Sequence, residues 1–214
     1  MGKVVLISSP KGGSGKSVIA RHLIVSASQS KLDVLGLDFD RQATFHKWAQ
    51  RREATRKSFP EFAEAVVRAG RLQDWRGGLR LTKDASLTII DTPPSVEDHL
   101  SAVSQLAEAA DLVVIPAVCT QDDIDSVAPW IEVLKKHSTR VVVVLNRANR
   151  RTTSFARMRG RLVKIADVCP VEIPQLEDVH VPASKGLTLL DYLKSRGQEP
   201  FEEVWAYVRR QVSL

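Results

Sequence analysis

Residues 3–17 read KVVLISSPKGGSGKS, and the fold follows from how this stretch changes character along its length. Val4–Ser8 is a short apolar run rich in Val and Ile, the composition of a buried parallel strand. It breaks into a loop holding Gly12, Gly13 and Gly15, and Gly15-Lys16-Ser17 then opens an apolar-periodic stretch to Ser28 that predicts a helix. Strand, glycine loop and helix in that order form a phosphate cradle. A polyphosphate is held by backbone N–H groups, which approach it only where side chains beyond Cβ are absent. The contacts fall to Gly12, Gly13, Ser14, Gly15, Lys16, Ser17 and Val18: the helix start presents its positive end, Lys16 reaches the β/γ-phosphates, and the Ser17 hydroxyl can ligate Mg²⁺.

Outward from this stretch, β-type runs recur at Val34–Leu37, Leu87–Ile90, Leu112–Ile115, Val141–Leu145 and, more weakly, Val168–Ile173, with helical patterns between them. Such alternation predicts one α/β domain over 1–214: a doubly wound, mostly parallel sheet with helices on both faces and ligands at the carboxyl ends of the strands. A chain of 214 residues suffices for that core and is short for two. No internal repeat or linker interrupts it, and with a first strand expected from residue 3 no upstream helix-turn-helix domain is expected.

Two more strand ends carry carboxylates. Asp38-Phe39-Asp40 places two of them at i and i+2, on the same side of an extended chain, where one can organise Mg²⁺ and the other orient a water. Leu87–Ile90 ends at Asp91, followed by Thr92-Pro93-Pro94, a metal-holding aspartate ahead of a stiffened loop.

The strict pattern GxxxxGK[ST] fails here, because Pro10 stands at its first glycine and Lys11 precedes the glycine pair. KGGSGKS, together with DFDRQ at 38–42, DTPP at 91–94, a strand-terminal Asn146 and IPQLEDVHVPASKG at 173–186, resembles the deviant Walker A motif and companion motifs of the ParA/MinD family of P-loop ATPases, over nearly the whole chain. The resemblance implies ATP and Mg²⁺ as cofactors and an ATP-bound sandwich homodimer in which Lys11 crosses to the partner's phosphates. It assigns catalysis to Lys11, Lys16 and Asp40, with Asp40 orienting water, and metal binding to Ser17, Asp38 and Asp91. Asn146 is expected to read the adenine edge and Pro174 to pack on the base. Arg41 replaces the proline usual after the second aspartate, which loosens that loop and alters its tuning of hydrolysis.

The net charge of +6 favours a polyanionic partner. Arg147, Arg150, Arg151, Arg157, Arg159, Arg161 and Lys164 lie within eighteen residues, with no acid from Arg140 through Ala166. Such density suits phosphate binding by counterion release, and the first six are the candidate DNA contacts, consistent with the sequence-independent DNA binding that the resemblance implies. It further implies a DNA segregation ATPase released from DNA when a small centromere-binding, ParB-like protein stimulates hydrolysis; the alternative is a MinD-like switch that positions protein clusters or binds membrane.

Several weaker expectations complete the reading. Thr44–Lys57 reads as a basic helix with Phe45, Trp48 and Ala49 inward and Lys47, Arg51, Arg52, Arg56 and Lys57 outward. Phe62–Val67 suggests a short strand, Leu72–Leu81 a helix interrupted at Gly77-Gly78, and Glu97–Ala110 another helix. Asp122, Asp123 and Asp125 cap the helix that follows them. Glu199–Val212 predicts a C-terminal amphipathic helix whose apolar stripe packs on the domain, so membrane contact is not expected from it. Cys119 and Cys169 read as reduced core residues. With no apolar run of membrane-spanning length and no signal peptide, the expected location is cytoplasmic and nucleoid-associated.

Overall fold

The computed structural model describes residues 2–94, 99–137 and 140–214. Its strands are β1 (Lys3–Ile7), β2 (Val34–Asp38), β3 (Val66–Ala69), β4 (Leu87–Asp91), β5 (Leu112–Val118), β6 (Val141–Asn146) and β7 (Asp167–Val168). They form one sheet in the order β3-β2-β4-β1-β5-β6-β7, parallel throughout among the described residues. The chain winds outward from β1 through β2 to β3, returns to β4 beside β1, then crosses to β5 and winds the other way. β1 is therefore the switch point, where a doubly wound sheet opens a ligand crevice at its carboxyl edge.

Helices α1 (Lys16–Gln29), α2 (Thr44–Arg56), α3 (Trp75–Leu81), α4 (Leu100–Ala109), α5 (Gln121–Lys135), α6 (Thr153–Leu162), α7 (His180–Ser184) and α8 (Glu199–Gln211) cover both faces. The strands alternate their side chains between two cores, as the pleat requires. Val5, Ile7, Ile89 and Val114 pack with α1, α2 and α8. Val4, Leu6, Ile90, Val113 and Ile115 pack with α4, α5 and α6. Burial on both sides explains why these strands read as continuous apolar runs rather than as alternating ones.

The C-terminal helix docks as expected: Phe201, Val204, Trp205 and Val208 of α8 are buried in the core. Phe201 stacks on His22 of α1 with ring centres 3.6 Å apart, and the Trp205 indole N–H donates to Ser30 Oγ at 3.3 Å. This apolar stripe is core and not a membrane-facing surface. Among the described residues no helix is long and apolar enough to cross a membrane. Cys119 and Cys169 are both free thiols.

Four expectations are corrected. The edge strand β3 starts four residues later than the expected Phe62–Val67 and ends two residues later, at Ala69. The break before α3 falls at a short 3-10 turn, Leu72–Asp74, and α3 runs straight through Gly77-Gly78; Gly78 is needed for close packing, since a Cβ there would lie 2.6 Å from the Phe39 ring. β7 is only two residues long, although Ile173 N–H still donates to the Leu145 carbonyl at 2.9 Å and Pro174 bridges to Ala148. Arg52 is fully buried and not on the solvent face of α2, because its guanidinium forms a bidentate pair with Asp191 at 2.7 and 2.8 Å. The helix expected from Glu97 begins at Leu100 within the described residues, and Glu97 itself lies outside them.

Candidate phosphate and metal site

The sheet register sets three strand ends side by side: Ile7 pairs with Asp91, and Asp91 with Asp38. The glycine loop leaves β1 at this point and turns into α1, whose first residue is Lys16. Gly13 and Gly15 have φ values of +78° and +101°, the left-handed region that favours glycine. A Cβ at Gly13 would meet nothing within 4 Å, whereas one at Gly15 would lie 2.0 Å from Asn146 Nδ2. Gly13 is thus open toward a ligand, and Gly15 is fixed from behind by the protein itself.

Lys16 is buried beneath the loop, its ammonium donating to the carbonyls of Ser9 at 3.2 Å and Lys11 at 3.0 Å. Burial lowers its pKa, against the pull of Asp91, Asp40 and Asp123. Ser17 Oγ donates to Asp91 Oδ2 at 2.6 Å. The other Asp91 oxygen is buried without a partner. Burial pushes the Asp91 carboxyl up to about 7; the Ser17 hydrogen bond and Lys16 oppose the rise, and Asp38 and Asp40 add to it. A hydroxyl and a half-unpaired buried carboxylate at a strand end are a donor set for a hard cation such as Mg²⁺, which takes oxygen ligands and stabilises the ionised carboxylate.

Asp38 is fully buried and occupied by backbone: Oδ1 accepts from Asp40 N–H at 3.0 Å, and Oδ2 accepts from Phe45 and His46 N–H at 2.9 Å each. It holds the turn that carries Asp40 and caps α2 from outside its own helix. That turn passes through Ala43 at φ +49°, unusual for a residue with a side chain. Asp40 is half-buried, and its Oδ1 accepts from Gln42 N–H at 2.9 Å. The Lys11 ammonium bonds to the Asp122 carbonyl at the start of α5, within its own chain. Asp123 closes the same end of α5: its Oδ2 accepts from Val118 N–H at 2.6 Å, and its own N–H donates to the Thr120 hydroxyl at 3.3 Å.

Asn146 ends β6 and donates one side-chain amide N–H to the Ser14 carbonyl at 2.8 Å, so it props the loop, with its second N–H and its oxygen uncommitted by that bond. Pro174 lies beside it through the bridge to Ala148. The arginine cluster is less uniform than its sequence. Arg147, Arg151 and Arg157 are exposed without a carboxylate partner among the described residues. Arg150 pairs with buried Glu172, Arg159 lies 3.9 Å from the same carboxylate, and Arg161 meets Asp125 at 3.5 Å and Gln121 at 3.0 Å. Two residues of the site have roles that the sequence reading did not assign. Thr92 donates its hydroxyl to the Ile7 carbonyl at 3.0 Å, tying the DTPP loop to β1. Arg21 of α1 donates to the Thr44 carbonyl at 3.2 Å, and its spacing of four from Ser17 was the available signal.

Among curated proteins none matches the sequence. In fold, the chain is similar to a plasmid partition protein of Borrelia burgdorferi B31 bound to AMPPNP, at 17% identity and a TM-score of 0.76, covering 99% of this chain and 100% of the other. It is also similar to McdA of Cyanothece in complex with ATP, at 18% identity and 0.74, covering 100% and 97%. The MinD cell division protein of Aquifex aeolicus matches at 15% identity and 0.76, covering 97% of each chain. Residues 5–189 match the model of the CobQ/CobB/MinD/ParA nucleotide-binding domain, and the chain belongs to that family.

Proposed function

We propose that the protein is a small ParA-type ATPase that uses ATP and Mg²⁺ to switch between a free form and a DNA-bound dimer. The observation that carries this is the Ser17–Asp91 pair, 2.6 Å long and directly below a glycine loop whose lysine is already buried. ATP phosphates displace the Lys16 ammonium from the carbonyls of Ser9 and Lys11, to which it now donates. Mg²⁺ held by Ser17 and Asp91 would neutralise charge on the β- and γ-phosphates. Asp40, placed by the Asp38-locked turn, orients the attacking water and takes its proton. Dimerisation moves Lys11 from the Asp122 carbonyl of its own chain to the phosphates of the partner. The exposed arginines around α6 bind DNA phosphates without reading sequence, and a ParB-like protein that stimulates hydrolysis releases the dimer. Burial of the α8 stripe favours DNA over a membrane as the surface on which the switch acts.

The test is sedimentation and random-sequence duplex binding with and without Mg²⁺-ATP, for wild type, Lys16→Ala and Asp40→Ala. Wild type is expected to dimerise and bind DNA only with ATP, Lys16→Ala to do neither, and Asp40→Ala to remain dimeric. An ATP-dependent dimer in Lys16→Ala would refute the site; ATP-dependent flotation with anionic liposomes, and no duplex binding, would move the protein to the MinD-like class.

A further inference from the structure

We infer that Arg21 is the positioning residue that holds the Asp40–Thr44 turn in place for hydrolysis, an inference that rests on the ATPase reading above. Arg21 follows Ser17 by four residues on α1, so it stands on the same helix face one turn beyond the metal hydroxyl. Its Nη2 donates to the carbonyl of Thr44, the first residue of α2. Its guanidinium lies 6.0 Å from the centre of the buried Trp48 ring, within cation–π range. Its Nε is buried with no partner.

The turn needs such a hold. Ala43 sits in the left-handed region without being glycine, which costs about 1–2 kcal/mol. Asp38 secures the turn from the strand side through three backbone N–H groups. Among the described residues, the hydrogen bond that reaches the turn from α1 is Arg21's, and α1 is the element that Lys16 and Ser17 open. Occupancy of the phosphate loop therefore has a direct mechanical route to Asp40: α1, Arg21, Thr44. The fields of Asp91 and Asp38 favour the Arg21 charge, while burial and Arg51 oppose it and lower the guanidinium to about 10, so it stays charged at neutral pH. Lysine cannot substitute fully, because a point charge can reach the carbonyl but has no flat face to lie on Trp48.

The turn contains its own reporter, since Arg41 is exposed and is a trypsin site. Wild type, Arg21→Lys and Arg21→Met are compared for cleavage after Arg41 by mass spectrometry, with and without Mg²⁺-ATP, and for ATP affinity by equilibrium dialysis and for kcat. The expected result for Arg21→Met is an ATP Kd within about twofold of wild type, a kcat lower by about tenfold or more, and cleavage after Arg41 several-fold faster, with Arg21→Lys between the two. Wild-type cleavage together with a normal kcat overturns the inference. So does a loss of ATP affinity as large as the loss of kcat/KM, which would make Arg21 part of the binding pocket. If Arg21→Met does not fold, Arg21→Lys decides by the same two readouts. If wild type itself shows no turnover, the ATPase reading fails, and cleavage after Arg41 still judges whether Arg21 holds the turn.

Discussion

The Asn146 side-chain amide donates to the Ser14 carbonyl at 2.8 Å, joining the end of β6 to the bend of the glycine loop. Gly15 lies so close behind this bond that any Cβ would strike the amide. Asn146→Ala leaves a buried carbonyl unpaired, a cost of about 1–3 kcal/mol that falls on the loop's shape and not on the base. ATP and GTP affinities are expected to drop by the same factor. A selective loss of ATP binding, measured by competition with both nucleotides, would instead show that Asn146 reads adenine.

In the proposed site, Asp91 would trade stability for metal affinity. Its carboxyl is buried with one oxygen unpartnered, and burial raises its pKa to about 7. Asp91→Asn removes the charge and keeps an oxygen for Ser17. The empty variant is expected to have a higher denaturation midpoint than wild type at pH 8, where the aspartate is ionised in both folded and unfolded chains. Mg²⁺-dependent nucleotide binding should be lost in the same variant. A lower midpoint would mean that the charge is already compensated without metal.

What the sequence displayed and what it hid separate by range. The glycine loop, the strand-terminal Asp38 and Asp91, and the apolar stripe of α8 are local patterns, and each lies where its spacing placed it. The misread residues are those whose partners are distant in the chain. Arg52 looks like one more cation on a basic helix, and only the fold brings it to Asp191, 139 residues away. The stretch from Arg140 through Ala166 has no acid of its own, yet Glu172 and Asp125 reach its arginines across loops. Asp38 differs, since its partners are local: what the sequence leaves unseen is that three N–H groups of the following turn close around its carboxylate.

Arg52 and Asp191 form a fully buried pair, with the guanidinium also donating to the carbonyls of Ala63 at 2.7 Å and Gly186 at 3.2 Å and lying 5.5 Å from the Trp48 ring centre. Removing one partner strands the other. Arg52→Met and Asp191→Ala are each expected to cost about 3–5 kcal/mol, and the double variant distinctly less than their sum. Urea denaturation of the four proteins measures this; additive losses would show that the pair is uncoupled.

His22 supplies an acid-sensitive joint between α1 and α8. It is buried against Phe201, its Nδ1 bonds to the Val18 carbonyl at 2.8 Å, and Nε2 has no partner. Burial, chiefly, lowers its pKa to about 4. The folded chain thus stays unprotonated at His22 between pH 6.5 and 4 while the unfolded chain takes up a proton, so stability is lost as pH falls through this window. The full effect is about 3 kcal/mol. His22→Phe keeps a stacking ring without the titration, and its denaturation midpoint is expected to fall less than that of wild type between pH 7 and 5. Equal slopes would place the acid sensitivity elsewhere.

The arginines around α6 should differ in their worth to DNA binding. Arg147, Arg151 and Arg157 face solvent without a carboxylate, whereas Arg150 and Arg159 share Glu172, which is itself buried. In the proposed DNA-bound form, a phosphate would meet the first three without a competing carboxylate and would compete with Glu172 for the other two. Each phosphate contact contributes about 0.9 to the slope of log K against log salt. Replacing Arg147, Arg151 and Arg157 by Ala is expected to flatten that slope by about 3 in the ATP-bound protein. Glu172→Gln should act in the opposite direction, releasing Arg150 and Arg159 to steepen the slope and tighten binding. A salt titration of duplex binding followed by fluorescence anisotropy reads both changes, and a slope that Glu172→Gln leaves untouched would show that Arg150 and Arg159 do not face the DNA.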